Sequence, residues 1–235
     1  FKLLKNQSRN SLAFVNKNDF LINKELKLNS FNSKIIKVNT KKKQNNFFKK
    51  IHNKYFVSET NKENLSFILE ISKKLNLKNK LIVQTINKFS GLKYRQEIIF
   101  KRKNLTIIND SKSTSFSSSI SLLKSNQNIY WILGGIYKKG DKLNLPKKYF
   151  SNIKAFIYGR NKKPFIKQLR GKIEYESFDN LKLALKEIFA IIKKEKFINK
   201  TILFSPCAAS FDSFKNFEDR GTFFNDLIKK RLNEL

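Results

Sequence analysis

Hydrophobic and polar positions along this chain follow two different rhythms, and the change falls near Ser90-Gly91. Ahead of it, residues 11–16 and 34–39 read as short strands, the second alternating polar and apolar as Lys-Ile-Ile-Lys-Val-Asn. The run 40–50, with Lys41, Lys42 and Lys43 together, predicts an exposed loop. Leu65, Ile68, Leu69, Ile71 and Leu75 then recur at helical spacing, behind a cap at Ser58 or Thr60. A second helix over 80–89 stops at Ser90-Gly91, where glycine suits a helix C-terminus. The opening Phe1-Lys2-Leu3-Leu4-Lys5 also reads as helix.

Beyond Gly91, strands near 96–100 and 104–109 are joined by a basic turn. Strands near 128–133, 153–158, 173–176 and 201–205 then alternate with helices near 115–124, 161–169, 180–195 and 217–233. Strand–helix alternation at this spacing predicts an α/β fold with a mainly parallel sheet covered on both faces. The domain boundary is placed at Ser90-Gly91, dividing residues 1–90 from 91–235, and no internal repeat is visible.

Composition changes this picture little. The 235 residues, 40% of them hydrophobic, can bury a genuine core. The formal charge of +32 suggests a polynucleotide partner, but the lysines are spread over almost every segment. They travel with Asn, Ile and Phe, the mixture that AT-rich codons specify, so no specific nucleic acid is expected. A single cysteine, Cys207, excludes an internal disulfide framework. No window is apolar enough for a membrane span, so a cytoplasmic monomer is the simplest expectation. The chain contains no Met, and Phe1 is read as following a longer upstream segment.

Candidate chemistry gathers where strands end. Ile107-Ile108 runs into Asn109-Asp110-Ser111-Lys112-Ser113-Thr114, a second strand ends in Gly134-Gly135 with Lys138 beyond, and a third opens onto Ser205-Pro206-Cys207-Ala208-Ala209-Ser210. Such tips are where open α/β sheets bind ligands. Asp110 either accepts from a ribose or caps a helix; Thr114 either contacts a ligand or caps the next helix. Gly134-Gly135 is a tight turn or a place where a ligand nears the backbone. Cys207 reads as a small buried residue. His52 has no ligating neighbours in the sequence, and none of the seven glycines builds a Gly-x-x-x-x-Gly-Lys-Ser/Thr phosphate loop.

Three of these segments, in this order, resemble the Mur ligase family, and within it the D-glutamate-adding branch. Gly91-Leu92-Lys93-Tyr94-Arg95-Gln96-Glu97 is similar to the family's linker into its last domain. Asn109 to Thr114 and Ser205 to Gly221 are similar to its two C-terminal signatures. The resemblance implies that residues 1–90 are the tail of a central α/β ATPase domain and that 91–235 are a Rossmann-like C-terminal domain. It implies ATP-dependent amide formation through an acyl phosphate, with UDP-N-acetylmuramoyl-L-alanine, D-glutamate and ATP as substrates. The phosphate loop and the Mg²⁺ ligands would lie upstream, so this segment is expected to be inactive alone. Asn61, Asn64, Tyr94, Arg95 and Asp110 match ATP contacts, and Lys112 matches the phosphoryl or substrate side as the catalytic group. Thr114, Lys138, Ser210 and Phe217 match the group that holds D-glutamate. Tyr94 and Thr60 stand where the family usually has His. Two alternatives carry less of the pattern: a related amide ligase taking another amino acid or a folate-type substrate, and a basic nucleic-acid-binding module.

Overall fold

The computed structural model describes residues 1–41, 45–57, 59–102, 104–195 and 199–233. They form two compact units, Phe1–Ser90 and Gly91–Leu235.

In the first unit, a single helical turn α1 (Lys2–Lys5) precedes β1 (Leu12–Asn16), α2 (Phe20–Leu28) and β2 (Lys34–Val38). β1 and β2 pair in parallel from Leu12↔Lys34 to Asn16↔Val38. Asp19 caps α2 by accepting from Ile22 N at 2.9 Å. A helical turn α3 (Asn45–Phe48), a 3₁₀ turn (Lys54–Val57), α4 (Glu59–Lys74) and α5 (Asn79–Lys88) complete the unit. Its core is small: Phe56, Leu65, Leu69, Ile82 and Ile86. Asn53 Nδ2 donates to the carbonyls of Ile86 and Phe89 at 2.7 and 2.5 Å, closing the end of α5.

Two expectations change here. Thr60 lies inside the first turn of α4 and is not its cap; Ser58, Lys42, Lys43 and Lys103 lie outside the described residues. The expected loop over 40–50 contains α3, because Phe47 and Phe48 are drawn onto the small core. Helix α2, for which no expectation was set, carries Ile22 and Leu26 at helical spacing, and none of its residues is fully buried.

The second unit is larger. β3 (Glu97–Arg102) and β4 (Leu105–Asn109) form an antiparallel hairpin. Then come α6 (Phe116–Ser125), β5 (Ile129–Leu133), the short β6 (Ile136–Tyr137), a 3₁₀ turn (Lys147–Asn152) and β7 (Ile153–Tyr158). The chain continues through α7 (Lys163–Leu169), β8 (Glu174–Phe178), α8 (Leu181–Lys194), β9 (Lys200–Phe204), the short β10 (Ala208–Ala209) and α9 (Phe217–Leu232). The main sheet has the order β3-β4-β9-β5-β7-β8, parallel everywhere except at the β3 edge. This is the mixed, mostly parallel sheet of a Rossmann-like domain.

Both faces are covered, which explains why β5 and β9 read as continuous apolar runs. Trp131, Leu133, Ala155 and Ile157 pack one face against Phe116 and Leu123 of α6 and Phe165 and Leu169 of α7. Tyr130, Ile132, Phe156 and Phe204 pack the other against Leu185 and Ile188 of α8 and Phe224 of α9. Alternate residues of one strand therefore serve opposite cores. The chain steps outward from β4 through β5 and β7 to β8, then returns to insert β9 between β4 and β5. The connection after β4 leads to the α6 face and the one after β9 to the α9 face. Neighbouring strand tips thus part in opposite directions and open a crevice, the usual ligand position in such sheets.

Candidate functional site at the strand tips

Asp110 continues the β4–β9 ladder, its N–H donating to Phe204 O at 2.7 Å. Its side chain caps no helix. Oδ1 accepts from Gln96 N at 3.1 Å and Oδ2 from Ser205 Oγ at 2.8 Å. Burial pushes the Asp110 carboxyl up to about 7, against the opposing pull of the Ser205 and Gln96 hydrogen bonds and of the Arg95 and Arg220 charges.

Behind Asp110 lies a buried hydroxyl network. Ser205 Oγ meets Ser119 Oγ at 2.5 Å, and Ser119 Oγ meets Ser113 Oγ at 2.9 Å and Cys207 Sγ at 2.9 Å. Since Ser205 donates its only proton to Asp110, Ser119 donates to Ser205. Cys207 is a buried member of this network, its thiol pushed up to about 12 by burial, which suits a structural rather than a reactive role.

Arg220 of α9 is fully buried and has several partners. Nε donates to Ser111 Oγ at 3.1 Å, and Nη2 donates to the carbonyls of Ser111 and Ala208 at 2.6 and 3.0 Å. The guanidinium therefore ties the loop after β4 to the loop after β9. Its Nη1 makes no hydrogen bond. The Tyr158 hydroxyl lies near enough to act on the Arg220 charge without meeting hydrogen-bond geometry, and burial lowers the guanidinium's pKa.

Three strand tips are laced together by main-chain bonds. Ala208 N donates to Ser113 O at 3.3 Å, and Gly134 N to Pro206 O at 3.1 Å. β6 and β10 pair as Tyr137↔Ala208 and Ile136↔Ala209. Gly134 and Gly135 are required by this close approach. A Cβ at Gly134 would stand 2.2 Å from Tyr158 O, and one at Gly135 would stand 2.5 Å from Ala209 O. The chain bends at Gly135 and makes no tight turn over the pair; what the two glycines admit is neighbouring backbone.

The residues matched to an amino-acid substrate surround this laced region. Thr114 is exposed one residue before Ser115, the N-cap of α6, so Thr114 is not itself that cap. Lys138 is exposed just past β6. Ser210 is buried just past β10, its carbonyl accepting from Ser213 N and Phe214 N at 3.2 and 3.0 Å. Phe217 opens α9, and the Lys112 ammonium sits 3.8 Å from its ring centroid, so these two meet directly. Lys112 N also donates to Tyr94 O at 3.0 Å.

Tyr94, matched to an ATP contact, is held by packing within this unit. Its ring lies on Gly221, where a Cβ would come within 2.3 Å, and its hydroxyl meets Thr222 Oγ1 at 2.8 Å. Arg95 is exposed and close enough to bias the Asp110 carboxyl. Asn61 and Asn64 belong to α4 of the first unit. Asn61 is buried and donates to Tyr55 O at 2.7 Å; Asn64 is exposed.

Sequence reasoning passed over Arg220, Ser119 and Asp141, the last of which accepts from Phe116 N at 2.7 Å. Arg220 stood inside the quoted Phe-Glu-Asp-Arg-Gly stretch, but its burial was not visible there. Ser119 is one serine among five between Ser113 and Ser119. Among the described residues, no group of three His, Cys, Asp or Glu is placed to hold a metal ion, and no helix is long and apolar enough to cross a membrane.

No protein-family model matches the chain. It is 38% identical over 173 residues to a UDP-N-acetylmuramoylalanine–D-glutamate ligase of Wolbachia sp. subsp. Brugia malayi, covering 73% of this chain and 34% of that protein. It is 34% identical over 184 residues to the Rickettsia felis protein of the same name, covering 78% and 41%. The Wolbachia pipientis wMel protein is 37% identical over 169 residues, covering 70% and 32%. The chain thus spans about a third to two fifths of the length of the curated relatives it matches. Among solved structures, a murein peptide ligase from Psychrobacter arcticus superposes with a TM-score of 0.54 at 8% identity, over 88% of this chain and 50% of that one. A UDP-N-acetylmuramate-alanine ligase from Thermotoga maritima gives 0.50 at 14% identity, over 76% and 39%. At these identities the likeness shows the fold alone.

Proposed function

The chain belongs to the Mur ligase family, and we propose that it is the C-terminal portion of a ligase that joins D-glutamate to UDP-N-acetylmuramoyl-L-alanine at the expense of ATP. Residues 1–90 are the end of the central ATPase domain and 91–235 the C-terminal domain. A carboxylate oxygen of the muramoyl peptide bonds to the γ-phosphorus as the bond to the ADP oxygen breaks. The D-glutamate nitrogen then attacks the acyl carbon, the tetrahedral intermediate expels phosphate, and the ammonium loses a proton.

The lacing of three strand tips in the second unit carries this reading. It places the Lys112 loop, the Lys138 loop and the Ser210 loop around one crevice. A small dicarboxylate needs a cation, hydroxyls and backbone donors held in fixed register. Lys138 supplies the charge contact to a carboxylate; Thr114 and Ser210 supply hydroxyls. Phe217 walls the site and holds the Lys112 ammonium, which offsets charge on the transferring phosphoryl group. Asp110, Arg95 and Tyr94 form the nucleotide edge of the C-terminal domain; Asn61 and Asn64 are ATP contacts proposed for the first unit by itself. Among the described residues no group of three His, Cys, Asp or Glu is placed to hold a metal ion, so ligands for Mg²⁺ would have to come from other residues.

In the full-length protein, Lys138→Ala is expected to raise the D-glutamate KM about ten- to hundredfold, the worth of a charge-assisted contact, and to leave the ATP KM nearly unchanged. Equal increases in both would count against the assignment. Preference for L-lysine, diaminopimelate or L-glutamate over D-glutamate in a substrate panel would instead favour a sister ligase.

A further inference from the structure

We infer that Asp141 is a positioning residue that locks the Lys138 loop onto the start of α6 and so sets the spacing between Lys138 and Thr114. This rests on the reading of those two residues as amino-acid contacts, and it adds a residue that never touches the substrate.

Helix α6 begins with four N–H groups that lack intrahelical partners. Its own N-cap, Ser115, makes no side-chain cap bond. The acceptor comes instead from 25 residues away: Asp141 Oδ2 takes the Phe116 N–H at 2.7 Å. A carboxylate there is favoured both as a hydrogen-bond acceptor and by the helix dipole.

The far end of the same loop is held as firmly. Asp141 N donates to Lys138 O at 3.1 Å, closing a turn over Lys138-Lys139-Gly140. The Tyr137 hydroxyl donates to Asp141 O. Tyr137 is itself anchored by pairing with Ala208 and by edge-on packing against Phe165, ring centroids 5.5 Å apart at 86°, and against Phe116 at 6.3 Å. Exposed Lys138 therefore sits on a turn whose base is clamped, and exposed Thr114 sits two residues before the N–H that the clamp captures. Two side chains on separate solvent-facing loops would otherwise find a dicarboxylate only by ordering themselves on binding. Fixing their bases beforehand removes part of that entropic cost.

The test uses the full-length protein with Asp141→Ala, Asp141→Asn and Tyr137→Phe, beside Lys138→Ala. Asp141→Ala should raise the D-glutamate KM about tenfold, with the ATP KM changed less than about twofold. Asp141→Asn keeps an acceptor oxygen and should recover most of that loss. Tyr137→Phe should raise the D-glutamate KM about two- to threefold. Amide hydrogen exchange should quicken at the start of α6 in Asp141→Ala and slow again in Asp141→Asn. If Asp141→Ala does not fold, Tyr137→Phe decides: a normal D-glutamate KM there, with Lys138→Ala impaired, overturns the clamp. Normal D-glutamate KM in both Asp141→Ala and Tyr137→Phe, with Lys138→Ala impaired, overturns the clamp alone. Parallel rises in the ATP and D-glutamate KM overturn it too, as a purely structural effect. A normal D-glutamate KM in Lys138→Ala removes the reading on which the clamp rests.

Discussion

The two ends of the parallel sheet in the second unit are built from the same strands and differ in almost everything else. The amino-terminal ends hold the open hollows, one of about 300 Å³ lined by Asn128, Asn152, Lys154 and Glu195, and one of about 570 Å³ lined by Lys148, Phe150 and Lys172. Their polar groups are partly solvated pairs. Lys154 bridges Glu174 and Glu176 at 3.0 and 2.8 Å, Lys200 reaches Glu195 at 3.5 Å, and the Tyr130 hydroxyl donates to Glu195. The carboxyl-terminal ends differ in kind. They hold buried polar groups instead: Asp110, Ser111, Ser113, Ser119, Ser205, Ser210 and Arg220. The size of those hollows is one guide to where chemistry lies in this molecule. Polar groups taken out of water at the strand tips, each requiring a partner, are the better one.

The sharpest way to break the comparison is to force the tips apart. Gly134→Ala places a methyl 2.2 Å from the β7 backbone at Tyr158, at a φ of +154° that side chains rarely adopt. A loss of more than about 3 kcal/mol is expected, from overpacking against rigid backbone plus strain, measured by denaturant unfolding of the full-length protein. A loss below about 1 kcal/mol would mean that the tips are loose. Arg220→Met comes next. It leaves the Ser111 and Ala208 carbonyls without their buried donor, at a cost of about 2–4 kcal/mol by the same measurement.

Asp110→Asn probes the same end through pH. Asp110 is an acid whose folded pKa, about 7, lies above its ordinary 3.8. Between those values the folded state holds the proton and the unfolded state does not, so this group's contribution to stability falls as pH rises from about 4 to about 7 and is flat above. The neutral Asn should match wild type near pH 4 and exceed it above pH 7, by at most about 4 kcal/mol from the size of that shift. An unchanged difference across the range would show that the carboxyl is not perturbed. The smallest effect belongs to the other end of the sheet. Tyr130→Phe removes one hydrogen bond to the half-exposed Glu195 and should cost no more than about 1 kcal/mol. A cost as large as that of Arg220→Met would erase the distinction between the two ends.

How much of this was legible beforehand depends on the range of the interaction that carries it. The helices α4 and α8 and the strands β5, β7 and β9 were readable because each is specified by its own apolar spacing. The helical turn α3 and helix α2 were not. The first exists because Phe47 and Phe48 reach a core made by residues far along the chain. The second is short and buries none of its residues, so its Asp19 cap and its Ile22 and Leu26 spacing were passed over. Within the site, Asp110, Lys112, Thr114, Lys138 and Ser210 could be named from their positions at strand ends and from the resemblance. Arg220 and Asp141 could not, because an arginine bonding to residues 109 and 12 positions away, or an aspartate capping a helix 25 positions upstream, leaves no local trace.

From the residues alone follow the alternation of strands and helices, the boundary in rhythm at Ser90-Gly91, and the small polar segments that end three strands. These depend on periodicity and on turn chemistry, which act between near neighbours. Only the tertiary structure decided that β9 enters between β4 and β5, that a serine network and a buried guanidinium hold those tips, and that Lys112 rests on Phe217. Each joins residues distant in sequence, and each is stable only because the intervening sheet and helices bring the partners within a few ångströms and exclude water from between them.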